Sequence, residues 1–154
     1  MRWWRQPSPV GELTVVVGPE GVRSIRIDGA TPADGDPERD HRVARQLDEY
    51  FRGERSRFTV PVDLGGVTAP FRRGVLETLR EEVGFGETVT YGELAVMAGR
   101  PGAARAVGSA MATCPVPILI PCHRVLAAGG AIGGYGGSLD HKRVLLEIEG
   151  TGVR

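Results

Sequence analysis

Cys122 and His123 stand side by side in PVPILIPCHRV, residues 115–125, with Arg124 after them and Pro115, Pro117 and Pro121 stiffening the run. A thiol becomes a strong nucleophile when a neighbouring base takes its proton, and an imidazole is held to that task when a carboxylate orients its ring. Glu149, beside Gly150 at the end of the last helical pattern, is the candidate orienter. In an extended segment successive side chains point to opposite faces, so Cys122 and His123 need a bent backbone or a bridging water to cooperate. A buried, inert cysteine remains the competing reading of Cys122 at this level. The chain has two cysteines, Cys114 and Cys122, and three histidines, His41, His123 and His141. That is too few cysteines for a disulfide framework or a four-ligand zinc site, so no metal and no cofactor are expected, and a reducing, cytoplasmic setting is implied.

The 154 residues suffice for one domain or two small lobes with a core that needs no staples. There is no charged-then-apolar leader, and no apolar run approaches the ~20 residues of a membrane span. Nineteen basic residues, of which Lys142 is the one lysine, balance nineteen acidic ones. A net charge of zero argues against holding nucleic acid by bulk electrostatics, so any DNA binding falls to a few placed residues.

The elements that must position the thiol fall into two stretches, 1–64 and 65–154. In the first, GELTVVV (11–17) and VRSIRID (22–28) are β-branched runs joined by a hairpin signal, and RFTVPVDL (57–64) is a third strand candidate. Val43, Leu47, Tyr50 and Phe51 share a helical face in a segment stopped by Gly53. In the second, Phe71, Val75, Leu76 and Leu79 mark a helix over 69–83 ended by Gly84. Thr90 and Glu93 form a T-x-x-E capping box, Gly99 closes that short helix, and a second helix runs to about Ala112 after Arg100-Pro101-Gly102. The pair reads as a helix-turn-helix. At ~100° per residue, Ala104, Val107, Gly108 and Met111 make the packed face of its second helix and Gly102, Arg105, Ala106 and Ser109 the open one. Such a face of small residues plus one arginine suits either a tight helix contact or a close approach to a nucleic acid backbone. A glycine-rich stretch from Gly129 to Gly137 encloses Tyr135, whose ring could stack on a planar ligand, and a helix over about 139–148 buries Leu145 and Leu146.

PVPILIPCHRV with Tyr135 and Glu149 downstream, and TYGELA followed by GAARAVGSAM upstream, resembles the 6-O-alkylguanine-DNA alkyltransferases, densely over about 68–150 and loosely before that. The resemblance implies an α+β protein: a small N-terminal ribonuclease-H-like sheet with a helix, and a helical C-terminal lobe carrying the helix-turn-helix and the active-site loop. It implies a monomer that binds double-stranded DNA through the minor groove, flips an alkylated guanine out of the stack, and moves the alkyl group irreversibly to Cys122, once per molecule, with 4-O-alkylthymine as a possible second substrate. His123 matches the base acting through a water, Glu149 its orienter, and Tyr91 the tyrosine that presses on the target phosphate and donates a proton to the base. Arg105 matches the arginine that fills the gap left by the flipped nucleotide, with Ala106 and Ser109 beside it on the DNA-facing helix. Met111 and Pro117 match pocket walls, Val125 and Gly136 backbone that reads the guanine, and Tyr135 a closing ring. Gly136 and Gly137 leave the mouth of the pocket open to adducts as large as benzyl, and Lys142 is counted among the pocket residues.

Cys114 departs from the family, which usually has Asn there to bridge the turn after the recognition helix. A thiol is a weak hydrogen-bonding group, so those bonds are expected to be missing or passed to water, and Cys114→Asn to raise stability. A disulfide with Cys122 is not expected, because the intervening prolines stiffen the segment. Two other functions fit the residues less well: a damage sensor that keeps the arginine but lacks a working nucleophile, and a cysteine hydrolase using Cys-His-Glu.

Overall fold

In the computed structural model of the protein, residues 1–132 and 139–151 are described. The chain divides into two compact units, one of Met1–Leu64 with Pro115–Pro117 and the other of Gly65–Cys114 with Ile118–Arg154. Three residues from the middle of the second stretch thus belong to the first unit.

The first unit is a mixed four-stranded sheet and one helix. Strands β1 (Arg2–Gln6), β2 (Leu13–Gly18), β3 (Gly21–Arg26) and β4 (Asp36–Pro37) lie in the order β3-β2-β1-β4, antiparallel except for the parallel β1–β4 pair. Helix α1 (His41–Phe51) starts at Asp40, whose carboxylate accepts the Val43 N–H at 3.1 Å, and Gly53 turns the chain away at φ 74°. Leu13, Val15, Val22 and Ile25 of the sheet and Val43, Leu47 and Tyr50 of α1 are all buried. A polar network is built into this unit: the Gln6 amide donates to the Ala44 carbonyl at 2.9 Å and to Asp48 at 2.7 Å, and accepts the Trp4 indole N–H at 2.9 Å.

Two strand expectations need correction. RWWRQ at the N-terminus is a central strand that the sequence pattern did not suggest, because its buried members Trp4 and Gln6 pair an aromatic with a polar residue that burial makes affordable only through the bonds just described. RFTVPVDL is not a strand. Pro61 lacks the N–H a ladder needs, and the segment makes only one bridge, Val22 to Val62, with Val22 N–H donating to the Pro61 carbonyl and Asp63 N–H to the Val22 carbonyl, each at 2.9 Å.

The second unit holds α2 (Pro70–Glu82), the two-residue strand β5 (Val89–Thr90), α3 (Tyr91–Met97), α4 (Ala104–Ala112), the two-residue strand β6 (Val125–Leu126) and α5 (Leu139–Ile148). Pro70 sits in the first turn of α2, where its missing N–H costs nothing, and Val75, Leu76 and Leu79 are fully buried. The helix ends at Val83, whose backbone is already extended; Gly84 follows without a left-handed turn, its N–H donating to Glu87 at 2.6 Å. The capping box is formed in full: Thr90 Oγ1 accepts the Glu93 N–H at 3.1 Å and the Glu93 carboxylate accepts the Thr90 N–H at 2.9 Å. Gly99 and Gly102, both at φ 84°, make the turn between α3 and α4, as the helix-turn-helix pattern requires. On α4, Val107, Ala110 and Met111 are buried while Arg105, Ala106 and Ser109 are exposed. Among the described residues no helix is long and apolar enough to cross a membrane.

Candidate active site

The segment that delivers the thiol is bent, not extended. Pro121, at φ −80° and ψ 60°, makes an inverse γ-turn in which the Cys122 N–H donates back to the Ile120 carbonyl at 2.7 Å. A single 3₁₀ turn, Cys122–Arg124, follows, closed by Arg124 N–H to the Pro121 carbonyl at 2.9 Å. Of the two ways for Cys122 and His123 to cooperate, a bent backbone or a bridging water, the bent backbone is present. Just upstream, Ile118 is buried at φ 78°, a left-handed backbone that a β-branched residue adopts only when its surroundings enforce it.

His123 is fully buried, and its Nε2 lies 2.6 Å from Glu149 Oε2. A carboxylate can only accept there, so Nε2 carries the proton and Nδ1 presents a lone pair. Nδ1 has no hydrogen-bond partner among the described residues. Glu149 is held by the end of α5. Gly150, at φ 76°, closes the helix with a Schellman pair, Gly150 N–H to the Glu147 carbonyl at 3.0 Å and Thr151 N–H to the Leu146 carbonyl at 2.8 Å.

A side chain that the sequence reading passed over completes the group. Arg124 is 7% exposed; its Nε donates to Glu149 Oε1 at 2.8 Å, its Nη2 to Glu149 Oε2 at 3.0 Å and its Nη1 to the Val83 carbonyl at the end of α2 at 2.7 Å. Arg124 stands between His123 and Val125 in the sequence, and only the turn brings its guanidinium onto Glu149.

The electrostatics follow from burial. Cys122, 2% exposed, has its thiol pushed well above the usual range, first by desolvation and then by the Cys114 thiol, against smaller pulls from a backbone N–H and Lys142. Cys122 therefore rests as a thiol. Desolvation also lowers the pKa of His123; Glu149 opposes this, while Arg124 and Lys142 reinforce it. His123 rests neutral. Lys142, buried with its Nζ 2.6 Å from the Val125 carbonyl, is lowered to about 8 by desolvation, which a Cys122 thiolate would oppose.

The parallel pair of β5 and β6, Val89 with Val125 and Thr90 with Leu126, ties the start of α3 to the residues just after the thiol turn. Tyr91 opens α3 there, and Lys142 Nζ lies 5.9 Å from its ring centre. Val125, expected to read a base through its backbone, gives its carbonyl to Lys142 and its N–H to the Cys122 carbonyl. Met111 is buried in the packed face of α4, and Pro117 is half-buried in the stretch assigned to the first unit. Tyr135, Gly136 and Gly137 lie outside the described residues. Both cysteines are free thiols, and Cys114, half-buried, is close enough to raise the pKa of Cys122.

Residues 70–151 match the model of the 6-O-methylguanine DNA methyltransferase DNA-binding domain, and residues 1–64 that of the ribonuclease-like domain of the same proteins. The methylated-DNA–protein-cysteine methyltransferase of Mycobacterium tuberculosis is 40% identical over 148 residues, covering 92% of this chain and 88% of the relative. The human protein of that name is 40% identical over 160 residues, covering 93% and 77%. Among solved structures, Mycobacterium tuberculosis OGT in complex with DNA superposes with a TM-score of 0.87 at 38% identity, covering 97% of this chain and 92% of that one. With the two domain models matching residues 1–64 and 70–151 and the buried Cys-His-Glu group in place, the chain belongs to the 6-O-methylguanine DNA methyltransferase family.

Proposed function

We propose that this protein repairs DNA by moving the alkyl group of a 6-O-alkylguanine onto Cys122. The observation that carries the reading is the Cys122–Arg124 turn with His123 fixed to Glu149 at 2.6 Å, in a chain of this family. The Cys122 proton leaves for His123 Nδ1 through a bridging water. Sγ then forms a bond to the alkyl carbon while the bond from that carbon to guanine O6 breaks, and the electron pair passes into the purine. A proton from Tyr91 offsets the charge that develops there. A thiol raised by burial needs a base at the moment of attack, which is the task a neutral His123 with an open Nδ1 can perform. The product is a thioether with no easy route back to thiol, so each molecule acts once.

Duplex DNA is the partner. The exposed face of α4, Arg105 with Ala106 and Ser109, is small enough to press into a minor groove. Arg105 would take the place of the flipped nucleotide, a focal contact that a chain of zero net charge must rely on. Mixing the protein with a duplex carrying one 6-O-methylguanine and weighing the intact protein tests the reading. The expected result is a gain of one methyl on the Cys122 peptide, none in Cys122→Ala, and in Arg105→Ala a larger loss of transfer rate than of DNA affinity. Several turnovers per protein, or transfer by Cys122→Ala, would remove Cys122 as the acceptor.

A further inference from the structure

Arg124 lies outside every role given above, yet it spends a buried guanidinium on Glu149. Its fork takes both carboxylate oxygens, at 2.8 and 3.0 Å, and its remaining nitrogen is anchored on the Val83 carbonyl at 2.7 Å. Glu149 Oε2 therefore accepts from two donors at once, Arg124 Nη2 and His123 Nε2.

Resting on the alkyl-transfer reading, we propose that Arg124 is the positioning residue that keeps His123 a base, by holding Glu149 as an anion and so reserving the imidazole Nδ1 as a lone pair facing the reaction. With Arg124 present, the buried trio of arginine cation, carboxylate and neutral imidazole sums to zero charge. A further proton would leave a net positive charge in a dry site, against Lys142, the other cation close to the ring. Without Arg124, the buried carboxylate loses a guanidinium charge and the two hydrogen bonds that come with it, so the Glu149–His123 pair takes up a proton more readily. Either place for that proton closes Nδ1. On the ring it makes an imidazolium with both nitrogens protonated. On Glu149 it makes a carboxylic acid that donates to Nε2, which forces the ring's own proton onto Nδ1. The groups around His123 that can shift this balance are Glu149 and Lys142 from α5, Arg124 and Cys122 from the thiol turn, Cys114 after α4 through Cys122, and Tyr91 of α3 through Lys142.

The test measures the rate of methyl transfer from methylated duplex against pH for the native protein, Arg124→Met and Arg124→Lys, with nitrogen NMR of the labelled histidine rings at neutral pH on the same samples. His123 of the native protein should show a protonated Nε2 and a bare Nδ1. In Arg124→Met, Nδ1 should be protonated, the acid limb of the rate profile should move to higher pH, and the rate at pH 7 should fall about tenfold or more, within the range a general base supplies. Arg124→Lys, which keeps the charge but not the fork, should move the limb part of the way in the same direction. An acid limb unmoved in both variants, or a bare Nδ1 in Arg124→Met, overturns the proposal. Should the Met variant not fold, an unmoved limb in Arg124→Lys alone overturns it. A native protein that accepts no methyl overturns the alkyl-transfer reading instead, while the ring-proton readout still decides what Arg124 does.

Discussion

His123 at the base of the site links catalysis to stability through one proton. Its pKa is lowered on folding from 6.5 by burial, so the unfolded chain binds a proton in a range where the folded protein does not. Stability contributed by the neutral ring is present above pH 6.5 and is lost as pH falls below it. Denaturant unfolding between pH 7 and pH 5 should show that decline, and His123→Gln, which cannot titrate, should flatten it while abolishing rapid alkyl transfer. A second consequence concerns the product. Cys122 is almost completely enclosed, and an added methyl in packed surroundings costs roughly 1–3 kcal/mol when the site cannot fully relax. Thermal unfolding of the methylated protein should therefore fall below that of the free protein by several degrees. Of the residues in the site, Cys122, His123 and Glu149 were legible because the motif and its resemblance named them. Arg124 was not, since nothing in a one-dimensional pattern says that a guanidinium faces inward until the turn that inverts it is seen.

At the scale of elements, the helices were legible and the strands less so. Caps and periodicity are local: Asp40 before α1, the Thr90–Glu93 box of α3, and the glycines at 99 and 102 act within a few residues of where they stand. A strand depends on partners far along the chain, which is why β1, stabilised by Gln6 reaching Ala44 and Asp48, was missed and why Pro61 was placed in a strand it could not complete. The thiol turn is a third case, a proline γ-turn leading into one 3₁₀ turn, too short to leave a periodic trace. The capping box has a local cost that can be measured. Thr90→Ala removes one half of it at the start of α3 and should lower stability by about 1 kcal/mol, read as a shift of a few degrees in Tm. Because Tyr91 follows immediately, the same variant should slow alkyl transfer more than a surface change at the far end of α3, such as Val96→Ala.

For the molecule as a whole, the feature with the longest reach is the stretch Pro115–Pro117, which belongs to the first unit although the chain on both sides belongs to the second. Its bond to the sheet is the Ile25 N–H, which donates to the Pro115 carbonyl at 3.0 Å. That amide can exchange with solvent only when the strap lifts, so Ile25 is a built-in clock for local opening of the chain that leads, through Ile118, to the thiol turn. Hydrogen exchange at Ile25 in the free and the methylated protein should differ if crowding at Cys122 is relieved along this route, with faster exchange after methylation. Equal rates would mean that the strain ends within the second unit. Faster exchange would make a chemical event at one sulfur readable, amide by amide, in the sheet of the first unit.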